Sequence, residues 1–334
     1  MNWDLIPLHD VLKISKVHVT VLDKGLYTYA ALHPYPKAIS QKGQKNGTDF
    51  RSKQQKTIQS GQFVISKTRF QQGYWGIVQP ELEGAIVHRT CLSFDIQPDL
   101  KSDYLAAYLA TSLFRQAVTA ARTKQGRLDV RRFGRITIPL PLLDDQMRIA
   151  ETWNYACQAL KHTVDMSVSI TELKTGVARD LFRRLTSDSK TIPLGRSAVI
   201  GDDLSVAYPL YVTMAGKLMR NRPTLDEAVI GIMPDAELDH HFLQYYLENQ
   251  KQAWYSAIRN TPLSITSALQ TLQIPQDSLY EQRKIVSILQ QHDDVLQKLK
   301  IEYAELRNLT QGMIQQIFSG NLPPVEAISW LRTI

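Results

Sequence analysis

Ile138-Pro139-Leu140-Pro141-Leu142-Leu143-Asp144-Asp145-Gln146-Met147-Arg148-Ile149 is a run that the chain writes twice. Its counterpart, Ile274-Pro275-Gln276-Asp277-Ser278-Leu279-Tyr280-Glu281-Gln282-Arg283-Lys284-Ile285, lies 136 residues further on and aligns without a gap. The alignment continues through Leu173, Gly176, Leu181 and Phe182, opposite Leu309, Gly312, Ile317 and Phe318. A shorter echo, Ile6-Pro7-Leu8 and Ile192-Pro193-Leu194, opens each half. A repeat this long is one structural unit used twice, so the order is variable block, helical block, variable block, helical block.

Each proline-bearing lead gives way to the period of a helix. From Asp144 to Leu185 an apolar stripe runs through Ile149, Trp153, Ala156, Leu160, Val164, Ile170, Leu173, Val177 and Leu181, with no proline to break it. The second copy, Leu279 to Phe318, carries Ile285, Leu289, Leu296, Leu299, Tyr303, Leu306, Leu309, Met313 and Ile317. Forty helical residues reach roughly 60 Å. A lone stripe of that length is not satisfied in water. The two predict each other as partners in an antiparallel, coiled-coil-like pair.

The variable blocks read differently. In residues 1–140, Gln62-Phe63-Val64-Ile65-Ser66, Trp75-Gly76-Ile77-Val78 and Gly84-Ala85-Ile86-Val87 predict strands. Asp103 predicts the N-cap of a helix over Tyr104 to Leu109. Ser40 to Lys56 reads as a polar loop, mobile without a ligand. The fold class is therefore mixed α/β (α+β). Its boundaries are a first block at 1–140, a helix at 141–188, a second block at 189–275, a helix at 276–320 and a tail at 321–334. The second block is about 50 residues shorter, by the difference between the two repeat offsets. Its end echoes the first: Phe242-Leu243-Gln244-Tyr245-Tyr246-Leu247 parallels Tyr104-Leu105-Ala106-Ala107-Tyr108-Leu109, and Leu263-Ser264-Ile265 stands near the place of Leu128-Asp129-Val130.

Charge separates the blocks. The net +7 is not spread evenly: residues 1–140 hold 20 Lys and Arg against 10 Asp and Glu, and each later segment comes to −1. A localized cationic surface points to a polyanion, most often nucleic acid. The two cysteines, Cys91 and Cys157, imply a reducing compartment and no disulfide framework. Met1-Asn2-Trp3-Asp4 lacks the layout of a signal peptide, and no apolar run approaches the roughly 18–20 residues that cross a bilayer. A cytoplasmic chain without membrane contact is expected.

This layout resembles the DNA-specificity subunit of type I restriction–modification systems. The two proline-bearing leads carry the resemblance, each entering a Glu-Gln-x-x-Ile-like helix start at Asp145-Gln146-Met147-Arg148-Ile149 and Glu281-Gln282-Arg283-Lys284-Ile285, each helix ending near a Phe. Asp145 departs from the usual Glu but keeps a carboxylate at a helix N-terminus, where it is favourable. The resemblance implies two target-recognition domains alternating with two spacer helices. Each domain reads one half of a bipartite site in double-stranded DNA. Two adenine methyltransferase (methylation) subunits dock on the framework, a restriction subunit joins them, and the chain itself does no chemistry and holds no cofactor or metal. Because the second block is short and lacks a Lys/Arg-rich stretch, it is expected to read a minimal half-site or to serve as a structural or protein-binding counterpart. The alternative is a degenerate scaffold that binds partner proteins with little DNA sequence choice.

The candidate DNA-binding residues all lie in the first block. Lys42, Lys45, Arg51, Lys53 and Lys56 cluster in the polar stretch, and Lys67 and Arg69 follow a strand. Arg122, Lys124, Arg127, Arg131, Arg132 and Arg135 surround Gln125. Such cations gain by displacing counterions from phosphates, and Gln71, Gln72 and Gln125 have the chemistry to read base edges. Tyr74 and Trp75 are expected to pack rather than to touch bases. Enzymatic readings fail on spacing. Gly61 to Thr68 has Ser66 where a phosphate loop needs its second glycine. Adjacent His240 and His241 do not share a helix face. Pro234-Asp235-Ala236-Glu237 is too compressed for a nuclease metal site.

Overall fold

The computed structural model describes residues 3–35, 37–203, 205–213, 215–220, 229–252, 254–255 and 265–323. It divides into two compact units, Met1–Lys161 with Ala304–Ile334, and His162–Tyr303. The long helices run Leu143–Asp188 and Leu279–Phe318, and each unit holds a part of both. Asp144, Asp145 and Glu281 stand in their first turns, where carboxylates meet the positive end of the helix dipole.

In the first unit the start of the first helix (Ile149, Trp153, Ala156) shares one core with the end of the second (Met313, Ile314, Ile317, Phe318). In the second unit the order reverses along the chain. Thr163 and Val168 line the same groove as Leu299 and Tyr303. Lys174 bonds Asp293 at 2.6 Å, and Phe182 shares a core with Ile285 and Leu289. One helix ascends as the other descends, so the pair is antiparallel. No helix among the described residues is long and apolar enough to cross a membrane.

The stripe differs from its expected course in the middle of each helix. Val164, Leu173 and Leu309 face solvent, whereas Ala178, Phe182, Thr310 and Ile314 are buried. An α-helix drifts by about 20° per heptad against a strict seven-residue repeat, so a straight reading of the stripe leaves the seam within a few turns.

Each unit carries a four-stranded antiparallel sheet with the same order. In the first, Leu12–Ile14, Cys91–Ile96, Phe63–Ser66 and Trp75–Ile77 lie side by side. In the second the sequence is Ala198–Gly201, Val229–Pro234, Leu210–Thr213, Leu218–Met219. The Ile-Pro echoes are also explained, because they pair with one another. Asp4–Pro7 runs antiparallel to Thr137–Leu140 with Ile6 opposite Ile138, and Thr191–Pro193 to Gln273–Pro275 with Ile192 opposite Ile274.

The motif glutamines dock each sheet region on its helix. Gln146 and Gln282 are 1% and 2% exposed. Gln146 accepts from the N–H of Lys101 (2.9 Å) and donates to the carbonyls of Asp99 (2.8 Å) and Pro141 (3.0 Å). Gln282 accepts from the N–H of Asp239 (2.8 Å) and donates to the carbonyls of Glu237 (2.9 Å) and Asp277 (2.8 Å). Lys101 and Asp239 are the N-caps of the Ser102–Leu109 and His240–Asn249 helices. The helix terminus that needs a partner thus finds one on the spacer.

Three expectations for the first block are corrected. Ser40 to Lys56 is not a mobile loop: Ile39–Asn46 pairs with Leu26–Leu32, and Gln54–Lys56 with His18–Thr20. Most of Ile39–Asn46 faces solvent, so no apolar alternation marks it as a strand. Gly84 to Val87 is not a strand. Ile86 alone makes bridges, to Tyr29 and Thr57. Asp103 is not the N-cap; the helix begins at Ser102, and the Asp103 carboxylate accepts from the Asn154 amide at 3.1 Å. Leu263-Ser264 and most of the 321–334 tail lie outside the described residues.

Candidate nucleic-acid interface

The length difference between the blocks is an insertion. Between the first and second sheet strands in chain order the first block has residues 15–62, carrying both polar hairpin pairings, where the second block has only 202–209. The insertion shares two small cores with residues that follow it, Ile39 and Ile58 packing with Val78, and Val21 and Phe50 with Ile86.

The insertion positions its cations unequally. The Lys45 ammonium sits 4.4 Å above the Tyr29 ring and 5.7 Å from Phe50, a cation–π arrangement that holds the charge at the surface. Arg51 is exposed. Lys53 is ion-paired with Asp23, which cancels its charge locally. Lys56 is half-buried and donates to the Cys91 carbonyl at 3.1 Å; desolvation pulls its pKa down. It therefore serves the insertion's attachment more than its surface. Burial in turn raises the Cys91 thiol to about 11. Lys42 stands in a β-bulge and lines a cavity with Arg69.

The frame supplies the remaining cations. Lys67 and Arg69 follow the Phe63–Ser66 strand, and the Arg69 guanidinium lies 5.3 Å from the Tyr74 ring. Gln71 and Gln72 are exposed on a one-turn helix, Phe70–Gln72, that fully buried Phe70 pins down. Trp75 is fully buried, a packing residue as expected. Arg122, Lys124, Gln125 and Arg127 form a tight turn. Thr123 donates to the Arg127 carbonyl at 2.7 Å and Gly126 to Thr123 at 3.0 Å. Gly126 takes φ +77°, which favours glycine. Asp129 caps the short Val130–Gly134 helix by accepting from the N–H groups of Arg131 and Arg132. The Arg132 guanidinium reaches back to the Arg122 carbonyl at 3.1 Å.

Two of these groups come together directly. Leu128 donates its N–H to the Lys67 carbonyl at 2.9 Å, so the Arg122–Arg132 turn is stitched to the Lys67–Arg69 segment. Through the shared cavity, Lys42 joins Arg69. No direct bond ties Arg51 or Lys124 to the other candidates among the described residues. Sequence reasoning missed Arg115, whose guanidinium lies 5.7 Å from the Trp75 ring, and His88, Thr68 and Thr90, which line the cavity. Only the strand pairings bring these together, and no local pattern announces them.

Two cations of the second block are engaged within it. The Arg220 guanidinium donates to the Gln244 side chain at 2.5 Å, and Lys251 sits 6.0 Å from the Tyr255 ring. Outside that block, on the first long helix, Lys174 donates to Asp293 of the second long helix, which also accepts from the Tyr245 hydroxyl at 2.5 Å.

A four-stranded sheet frame thus recurs in each unit, and only the first carries the insertion with Lys42 facing Arg69 across a cavity. The family model of the type I restriction modification DNA specificity domain matches residues 1–162. Over those residues the chain is similar to that domain. Among solved structures, one from a study of complex assembly and conformational transition of the type I R-M system is 17% identical, with TM-score 0.57, covering 96% of this chain and 98% of that one. The type I S subunit from M. genitalium is 14% identical, with TM-score 0.54, over 95% and 96%. The HsdS subunit from Thermoanaerobacter tengcongensis is 18% identical, with TM-score 0.45, over 96% and 97%. The first two show a shared fold along nearly the whole chain. No curated protein matches significantly by sequence.

Proposed function

We propose that this chain is the non-catalytic specificity subunit of a type I-like methyltransferase or restriction complex. In this reading residues 1–140 are the principal target-recognition domain and 189–275 a reduced second one, while the helices at 141–188 and 276–320 space them along a bipartite DNA site. Two adenine methyltransferase subunits dock on the paired helices, and a restriction subunit joins that assembly. The observation that carries the reading is the gathering of cations from separate stretches, Lys42, Lys67–Arg69 and Arg122–Arg132, onto one domain. Phosphate contacts fix register, and the neighbouring glutamines offer base readout.

The second domain keeps the frame and lacks the insertion, so it reads a minimal half-site. The test replaces 189–275 with a foreign block and maps methylation in the presence of the methyltransferase subunits. One half of the target persists, and the other changes by a few base pairs at most. Loss of a full-length second half would make the second domain an equal reader. The scaffold alternative draws on the acidic balance of 189–275; it expects salt-dependent DNA affinity without any preferred sequence.

A further inference from the structure

We propose that the cavity between the insertion and the sheet of the first block is a phosphate seat, filled by one phosphodiester of the DNA backbone. The proposal rests on the reading of this block as a DNA reader and names the part of it that grips. The cavity measures about 290 Å³. Its polar lining is one-sided: Lys42, Arg69 and His88 bring positive charge or N–H donors, Thr68 and Thr90 bring hydroxyls, and no Asp or Glu lines it among the described residues. A group made only of acceptors and negative charge suits such a lining.

The aim of each donor is built. Along the hairpin, Tyr29 pairs with Gly43 and Ala30 with Gln41, so the ladder passes over Lys42. Gly43 takes φ +148° at this bulge. A β-bulge re-aims a side chain, and here the re-aimed residue is a lysine that lines the cavity. Arg69 is steadied from the other wall by the Tyr74 ring at 5.3 Å. His88 Nδ1 stands 2.8 Å from the Thr90 hydroxyl and 3.3 Å from the Thr90 N–H, two contacts that fix the ring at the cavity wall. The volume exceeds what a free phosphate ion fills, leaving room for the flanking sugar atoms that a backbone phosphate brings. In the second block 202–209 replaces the insertion. The wall that bears Lys42 has no counterpart there among the described residues.

The test titrates the full chain with a short DNA duplex over a range of salt. Three variants are compared with the wild type: Lys42→Gln with Arg69→Gln, Thr68→Val with Thr90→Val, and a charge-matched control, Lys13→Gln with Lys16→Gln, outside the cavity. Unchanged circular dichroism and melting establish that each is folded. The cation variant loses on the order of tenfold in affinity relative to the control, and its salt slope falls by about 0.9, one phosphate contact. The hydroxyl variant weakens several-fold with no change in slope, which a diffuse charge effect does not produce. Inorganic phosphate at fixed ionic strength displaces DNA from the wild type more readily than from the cation variant. A cation variant no weaker than the control overturns the proposal, even if inorganic phosphate still binds the wild type. A wild type without salt-dependent DNA binding sinks the underlying reading, and the seat with it.

Discussion

The two halves of this chain are the same frame with and without an insertion. Both have a four-stranded sheet of one order, a paired Ile-Pro strand, a buried motif glutamine and an aromatic anchor. Phe318, from the end of the second helix, packs 5.3 Å from Tyr104 and 5.1 Å from Tyr108. Phe182, from the end of the first, packs 5.7 Å from Phe242 and 5.4 Å from Tyr246. Tyr108 and Tyr246 donate to the carbonyls of Thr137 (3.4 Å) and Gln273 (2.9 Å). What repeats is therefore how a sheet region is fixed to helices. What does not repeat is residues 15–62 and the positive charge. The attachment is separable from the insertion, and only the insertion and its charge vary between the halves.

The largest expected effect tests whether the anchors are equivalent. Phe182→Ala and Phe318→Ala each remove a buried ring and should cost about 3–5 kcal/mol. Denaturant unfolding gives the size. Hydrogen exchange should place the loss around Tyr246 for the first and around Tyr108 for the second; a loss spread evenly over the chain would break the comparison.

Next come the glutamines. Gln146→Leu and Gln282→Leu each strand one buried N–H and two carbonyls, at about 1–3 kcal/mol per unsatisfied group before relaxation and water entry. The two penalties should agree within about 1 kcal/mol. A tolerant Gln282 beside a sensitive Gln146 would show that the second half has relaxed its attachment.

The smallest effect distinguishes the halves by pH. Burial, with help from His240 and Arg220, lowers the pKa of His241 below the ordinary 6.5. The unfolded chain then binds the proton more readily, so this group's stabilising contribution is present above pH 6.5 and is lost as pH falls through the folded value. His241→Asn should flatten that acid limb in hydrogen exchange around Phe242, whereas an unchanged limb would place the sensitivity elsewhere.

Much of this frame was legible in the sequence. The helices announced themselves because a helical period sustained over forty residues, written twice, has no competing reading. The Ile-Pro echoes were visible as a repeat, but their mutual pairing was not, since register is a long-range property. The role of Gln146 and Gln282 was equally hidden: a polar residue in a motif gives no sign of the backbone groups it meets. The insertion was misread because Ile39–Asn46 is mostly polar and exposed, and only its pairing with Leu26–Leu32 makes it a strand. For the candidate site, charge counting marked the block and its cations, but a bulge at Lys42 and a cavity shared with Arg69 depend on strand pairing that local patterns do not encode.

In the proposed function the insertion makes the first half the DNA reader. The most direct test of this replaces residues 15–62 with the 202–209 segment and titrates duplex DNA against the folded chain at graded salt. The replacement should lose at least about a hundredfold in affinity and most of its salt slope, as expected when several phosphate contacts vanish together. A chain that keeps its affinity and slope without the insertion would contradict it.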